Sequence, residues 1–316
     1  MEATIVIPVY NRERLLPRTL ASVAAQTYRP LHVILVDNGS TDRSSALLDD
    51  FARRQSAPDF RVTVCGESRR GAPAARNAGL ARATGEWVMF FDSDDEMAPR
   101  LVECYMATAA ANPDADVIYT DIQMTDDAGN TCIKRSPRKF TPRFLCGHIF
   151  HTYLSTQRYM VRRRVVDAVG GWNEALPCWN DWELGLRLLL YTSRLVKVPA
   201  DEPLVMVHTH ADSITGSGFS DKTDALASAF AAAGKAVRAA HRSDELRLLH
   251  CLAYKKVVLA AACTREGSPR GEELFREVMA CTGGRGVRFL FRLGYALARR
   301  GVRGTSRLVA FLLPIA

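Results

Sequence analysis

The stretch Trp87-Val88-Met89-Phe90-Phe91, followed at once by Asp92-Ser93-Asp94-Asp95, constrains this chain more than any other. Five apolar residues, mostly aromatic or β-branched, read as a strand buried on both faces. Three carboxylates then arrive within four positions at its carboxyl end, which is where ligands bind in open α/β sheets. Carboxylates this close repel one another unless a cation lies among them, and hard oxygen ligands suit Mg²⁺ or Mn²⁺. Mg²⁺ is usually held by one or two carboxylates together with substrate phosphates. A strand ending in Asp-x-Asp therefore points to a metal–diphosphate site. The alternative, capping of a helix that begins near Pro99, accounts for one Asp well and for three poorly.

Strands and helices alternate around this stretch. Thr4–Val9, 32–36 and 61–65 read as buried strands. Helices are expected after the first two, and an Ala-rich helix is predicted from Gly71 to Gly85. Beyond the acidic stretch, a helix is expected over 99–111, a strand over 116–121 and a hairpin through Asp126-Asp127-Ala128-Gly129-Asn130. Pro137, Pro142 and Gly147 mark 136–158 as a loop over the site. A short strand at 159–161 and a helix at 164–169 precede the turn Gly170-Gly171-Trp172-Asn173-Glu174. A Leu-rich helix follows Trp179-Asn180-Asp181, then short strands at 195–198 and 204–208, and from about Asp221 only long helices. This alternation predicts a mainly parallel sheet with helices on both faces.

A chain of 316 residues, 47% apolar and 24% charged, is an ordinary globular protein with room for one large α/β domain and a smaller appendage. The net charge of +8 looks like a nucleic-acid signal until it is located: residues 285–316 hold seven Arg and no Asp, Glu or Lys. The body is nearly neutral, so no nucleic-acid partner is expected. The eight scattered cysteines include no Cys-x-x-Cys pair, which argues against a zinc site and for reduced thiols in a cytosol. A strand-like segment almost directly after Met1 leads us to expect no leader peptide.

These stretches, in this order, resemble family 2 glycosyltransferases. They are Ile5-Val6-Ile7-Pro8-Val9-Tyr10-Asn11, Val36-Asp37-Asn38-Gly39-Ser40-Thr41-Asp42, Ala75-Arg76-Asn77-Ala78-Gly79, Phe91-Asp92-Ser93-Asp94-Asp95, and Gly170-Gly171-Trp172-Asn173-Glu174 leading to Asn180-Asp181-Trp182-Glu183-Leu184. The resemblance implies a GT-A fold, Rossmann-like with a mainly parallel sheet, over 1–215. A helical extension over 216–284 and a basic amphipathic tail over 285–316 would follow. It further implies a bacterial, inverting, metal-dependent enzyme of surface polysaccharide or glycolipid synthesis. Such an enzyme moves a hexosyl or N-acetylhexosaminyl group from a nucleotide-sugar, a UDP-sugar first of all, to a hydroxyl of a glycan or lipid-linked acceptor.

By the same resemblance Pro8, Tyr10 and Asp37 hold the nucleoside, and Arg76, Asp92 and Ser93 lie along the nucleotide-sugar. Asp92 and Asp94 form the Asp-x-Asp metal pair, His210 is a candidate third ligand, and Asp181 is the general base. The family's usual Glu before the base is Asn180 here, which puts in doubt any orienting role of that Glu. A Gln-x-x-Arg-Trp signature of processive members is absent, so one sugar per binding event is expected. The Gly216-Ser217-Gly218 stretch is a candidate flap.

On a helix, the seven Arg of the tail fall within a sector of about 120°, with bulky apolar residues taken to lie opposite. That describes a helix in an anionic membrane surface, broken near Gly301 and Gly304. Docking on helices 221–281 is the alternative. The expected location is cytoplasmic, with peripheral attachment at the inner face of the membrane. Two other functions compete. Phosphatases with Asp-x-Asp use the first Asp as a nucleophile, but place it on the first strand with Thr or Val where this chain has Glu96. A catalytically silent nucleotide-sugar binder or membrane scaffold of the same fold has Asn180 in its favour.

Overall fold

A computed structural model of the chain describes residues 1–209, 218–302 and 304–313. It begins with β1 (Ala3–Val9), α1 (Leu16–Ala24), β2 (Leu31–Asp37), α2 (Ser44–Gln55), β3 (Phe60–Gly66), α3 (Ala72–Leu80), β4 (Trp87–Phe90) and β5 (Glu96–Met97). Next come α4 (Leu101–Ala111), β6 (Val117–Tyr119), the hairpin β7 (Ile122–Asp126) and β8 (Thr131–Lys134), α5 (Pro142–His151) and β9 (Tyr159–Arg162). The mixed region ends with α6 (Arg163–Ala168), α7 (Asn180–Tyr191), β10 (Leu195–Lys197) and β11 (Val205–Thr209). The elements that follow among the described residues are helical: α8 (Thr223–Ala239), α9 (Glu245–Arg265), α10 (Arg270–Cys281), α11 (Arg285–Ala298) and α12 (Thr305–Leu312).

The main sheet has seven strands in the order β10-β6-β9-β4-β1-β2-β3, with β9 alone running against its neighbours. Every residue of β1 and β4 is buried, as continuous apolar runs require of strands covered on both faces. Alternation along β1 sends Ile5, Ile7 and Val9 toward α1, α2 and α4, and Val6 toward α3 and the later helices. The second core is continuous from Val6 through α7 and α9 to Val309. From β1 the chain runs outward through β2 to β3, then crosses back to β4 on the other side of β1. The carboxyl ends of β1 and β4 therefore flank a topological switch point, and the acidic stretch lies there. A second sheet, β5-β11-β7-β8, ties residues 96–97 to β11.

Close packing explains Gly79. A Cβ there would stand 2.3 Å from Val6 Cγ1 and 3.2 Å from Val36 Cγ2, both at the centre of the sheet. Overpacking of this kind costs about 1–3 kcal/mol, against about 1 kcal/mol that Ala gains over Gly in helix propensity. Gly79→Ala is expected to lower the urea midpoint; an unchanged midpoint would show that β1 gives way freely.

Two expectations need correction. Residues 136–158 are not a loop over the site: they contain α5 and a 3₁₀ turn over Thr156–Arg158. Pro142 opens the helix, at the end where proline is tolerated. Gly147 is required within it, because a Cβ would meet the Tyr153 ring at 2.4 Å. Phe144, Leu145, His148 and Ile149 are buried, so α5 is core.

The tail does break between α11 and α12 around Gly301 and Gly304, but its apolar side is not free. Phe291, Gly294, Tyr295 and Ala298 are buried, with Phe291 against Tyr254 at 5.3 Å and Tyr295 stacked on Phe275 at 3.9 Å. Phe289 and Leu293 are not on that side. The four-residue spacing of Arg285, Phe289 and Leu293 makes one stripe, which leaves Phe289 65% and Leu293 42% exposed among arginines.

Candidate active site

The acidic turn begins where β4 ends, with Phe91 N–H bonded to Val6 O at 2.9 Å. Both carboxylate oxygens of Asp92 are engaged: Oδ1 accepts from Arg76 Nη2 at 2.6 Å and Oδ2 from Gln157 Nε2 at 2.9 Å. Gln157 Nε2 also reaches Asp95, which accepts His208 N–H at 2.9 Å. Ser93 is buried within the turn. Asp94 pairs with Arg12 Nε at 3.4 Å, and its carbonyl accepts from Arg18 at 2.7 Å. Burial pushes Asp92 and Asp95 above the usual carboxylate range, and the neighbouring carboxylates push both further.

Arg76 joins this turn to the start of α7. It is 5% exposed, its guanidinium lies 4.3 Å over the Trp172 ring, and Nη1 donates to Asn180 Oδ1 at 3.1 Å. Its neighbour Asn77 locks the glycine-rich turn in place. Asn77 Oδ1 accepts Trp172 N–H at 2.9 Å, while Nδ2 donates to Trp172 O at 2.9 Å and to Glu174 Oε1 at 2.8 Å. Gly171, at φ +67°, is needed because a Cβ would stand 2.8 Å from Asn77 Oδ1. Two motifs far apart in sequence thus form one bonded unit, which delivers Asn180 and Asp181 to the acidic turn.

Asp181 is in the first turn of α7, behind an N-cap filled by Trp179 in left-handed conformation at φ 53°. Burial raises the Asp181 carboxyl, while the Trp182 N–H and the fields of Arg76 and Lys255 pull it back down. Asn180, at the position where the resemblance has Glu, accepts from Arg76 and adds no second negative charge beside Asp181.

Pro8, Tyr10 and Asp37 form a separate group at the ends of β1 and β2. Pro8 is buried opposite Val36, and Val9 pairs with Asp37. Asp37 Oδ1 accepts Ser40 N–H at 3.0 Å, the turn-forming bond of an Asx residue. Buried Asn38 ties the 67–71 loop to this edge: Nδ2 donates to Glu67 O and Arg69 O, and Oδ1 accepts Gly71 N–H, each at 2.8 Å. Tyr10 is 40% exposed, with Arg70 over its ring at 4.8 Å.

Among the described residues, no three His, Cys, Asp or Glu side chains converge on one point to hold a metal. The turn nonetheless fits a divalent cation of the kind shared with substrate phosphates. The repulsion from neighbouring carboxylates that helps push up Asp92 and Asp95 would be relieved by a cation. Asp92 is bonded through both oxygens and Asp94 is paired with Arg12, so either carboxylate would exchange a protein partner for the cation. His210 lies outside the described residues; its neighbour His208 pairs with Glu96 at 2.7 Å. Gln157, Arg12 and Arg18 escaped the sequence reading. Gln157 sits in the stretch assigned to a loop, and the arginines carry no spacing signal.

A mostly parallel sheet with an acidic turn at its switch point, and helices packed around it, is a GT-A nucleotide-sugar-binding fold. Residues 4–170, just over half the chain, match the family model described as glycosyl transferase family 2, and the chain belongs to that family. Glycosyltransferase GlyA of Streptococcus pneumoniae is 38% identical over 100 residues, which is 32% of this chain and 14% of that protein. GlyG of the same organism is 33% identical over 126 residues, 40% of each chain. The chain therefore spans less than half the length of either relative. S. aureus TarS 1–349, solved in complex with UDP-GlcNAc, superposes with a TM-score of 0.72 at 18% identity, covering 98% of this chain and 91% of that one. The mannosyltransferase PcManGT of Pyrobaculum calidifontis, solved with GDP-Man and Mn²⁺, gives 0.59 at 23%, covering 98% and 85%. At these identities the likeness is one of fold.

Proposed function

We propose that this chain is an inverting glycosyltransferase that moves one sugar from a nucleotide-diphosphate-sugar, a UDP-sugar in the first instance, to a hydroxyl of a glycan or lipid-linked acceptor. Surface polysaccharide or glycolipid synthesis is the setting. The observation that carries this reading is Arg76, which bonds at once to Asp92 on the acidic turn and to Asn180 beside Asp181. One guanidinium thereby spans the place where a diphosphate would leave and the place where an acceptor would be deprotonated.

Asp37 and Tyr10 would hold the nucleoside at the ends of β2 and β1. Asp94, with Asp92 behind it, would hold Mg²⁺ or Mn²⁺, which when bound neutralises charge on the departing diphosphate. Arg76 would stabilise the same developing charge from the protein side. Asp181 would take the proton of the acceptor hydroxyl as it attacks the anomeric carbon from the face opposite the diphosphate, inverting that centre. The test is product chemistry on a panel of nucleotide-sugars. Free nucleoside diphosphate is expected. Inorganic phosphate would indicate a phosphatase, and no product with donor bound would indicate the silent binder.

Peripheral membrane contact belongs to the same proposal. No helix among the described residues is long and apolar enough to cross a membrane. Phe289 and Leu293 instead stand exposed between Arg285, Arg288 and Arg292, with Arg299 and Arg300 beyond. Each Arg near an anionic surface contributes about 1 kcal/mol, and the two apolar side chains add their burial in the headgroup region. Phe289→Glu with Leu293→Glu is expected to cut co-sedimentation with anionic vesicles at least about tenfold. Equal binding by the double variant would remove the tail from the interaction.

A further inference from the structure

Lys255 reaches the site from α9, outside the segment that matches the family. Its helix packs on α5, α8, α10 and α11, with Cys251, Tyr254 and Leu259 buried. Lys255 Nζ lies 4.4 Å from the ring centroid of Trp179 and 5.0 Å from that of Trp182, the residues that flank Asn180-Asp181. The two indoles meet edge to face at 5.4 Å, and Phe230 of α8 packs on them at 5.6 and 5.7 Å. An aromatic wall therefore holds the ammonium through its π faces. Among the described residues no carboxylate lies within ion-pair distance of it.

The charged and titratable groups around this pair come from five elements. From α5, His148 bonds Trp182 O at 2.9 Å and burial drops it to about 3, so it is neutral. Tyr159 of β9 is pushed up by burial and is neutral too. Arg76 of α3 acts on Asp181 but is engaged by Asp92 and Asn180. Asp92, after β4, is itself pushed up by Asp181. On α9, Lys256 lies over Phe230 of the same wall at 5.2 Å. Burial lowers Lys255 to about 7, with Asp181 as the group that raises it, and the field of Lys255 in turn lowers Asp181.

We propose that Lys255 is the positioning residue of Asp181: α9 seats its ammonium against the two indoles that flank Asn180-Asp181, and its charge acts on the Asp181 carboxylate from there. The proposal rests on Asp181 being the base. The signs agree with that role. Lys255 carries its charge below about pH 7, the side on which a buried carboxylate is exposed to protonation, and loses it above, where Asp181 needs no help. It also gives the C-terminal helices a part in the chemistry.

The test uses the full chain, with Lys255→Met, Lys255→Arg and Asp181→Asn. In protein labelled with ¹³Cε-lysine, the Lys255 resonance, identified by its loss in Lys255→Met, is expected to titrate near 7 and to move to lower pH in Asp181→Asn. In turnover, read as nucleoside diphosphate released from a UDP-sugar, Lys255→Met is expected to shift the acid limb up by about one pH unit. The rate on that side then falls about tenfold, and Lys255→Arg restores it. A Lys255 resonance that ignores Asp181→Asn overturns the proposal, as does an acid limb that stays in place in Lys255→Met. If Asp181→Asn keeps full turnover, the base assignment fails, and the resonance still judges the pairing.

Discussion

Asp181→Asn is expected to lower turnover by about 10²–10⁴-fold, the range that a positioned general base supplies, while nucleotide binding stays within about twofold of wild type. Asn matches the carboxylate in shape, so α7 and the Arg76–Asn180 contact should persist. The pH profile makes the result specific. A base must be ionised, so the wild-type rate is expected to rise with pH through the pKa of Asp181. Burial raises that pKa, which places the acid limb above the ordinary carboxylate range. In Asp181→Asn the limb should disappear along with the rate. Steady-state kinetics from pH 4 to 9 checks both; a variant with normal turnover would show that another group takes the proton.

Arg76→Met is expected to damage function and fold together. The residue is 5% exposed, lies over Trp172 and satisfies both Asp92 and Asn180. Removing one partner of a buried pair costs about 3–5 kcal/mol. The lower end applies here, since the Asp92 side chain is 29% exposed and water can screen it. Loss of the charge facing the leaving diphosphate should lower turnover by about 10²–10³-fold in the protein that remains folded. Asp92→Asn in the Arg76→Met background should recover much of the stability, because the stranded charge goes, and none of the activity. Denaturation midpoints of the single and double variants separate the two effects. Equal stability of wild type and Arg76→Met would contradict the bridging role.

The fold was legible because its central strands are buried on both faces: β1, β2 and β4 appear as nearly continuous apolar runs, and each ends in the polar turn that marks the ligand side. The glycine-rich and Ala-Arg-Asn stretches could be recognised as motifs, but not their mutual bond, since Asn77 meets Trp172 only in three dimensions. α5 was hidden by Pro142 and Gly147, which are breakers by propensity and here serve a helix start and a close approach to Tyr153. The tail was misread on one face, because an alternation of Arg with Phe and Leu does not say which apolar residues find a protein partner. Phe291 and Tyr295 did, whereas Phe289 and Leu293 did not. Gln157 and Lys255 left no local signal at all; their positions follow from packing of segments far from the acidic turn.

Under the proposed function the acidic turn binds a nucleotide diphosphate through a divalent cation. The most direct measurement is calorimetric titration of UDP into wild type and Asp94→Ala, each with Mn²⁺ and with chelator. Saturable binding by wild type with Mn²⁺ is expected, weakened at least about tenfold by chelator and by Asp94→Ala alike. If UDP and other nucleotide diphosphates bind equally well without metal and without Asp94, or do not bind, the carboxylate cluster is structural and the donor site lies elsewhere.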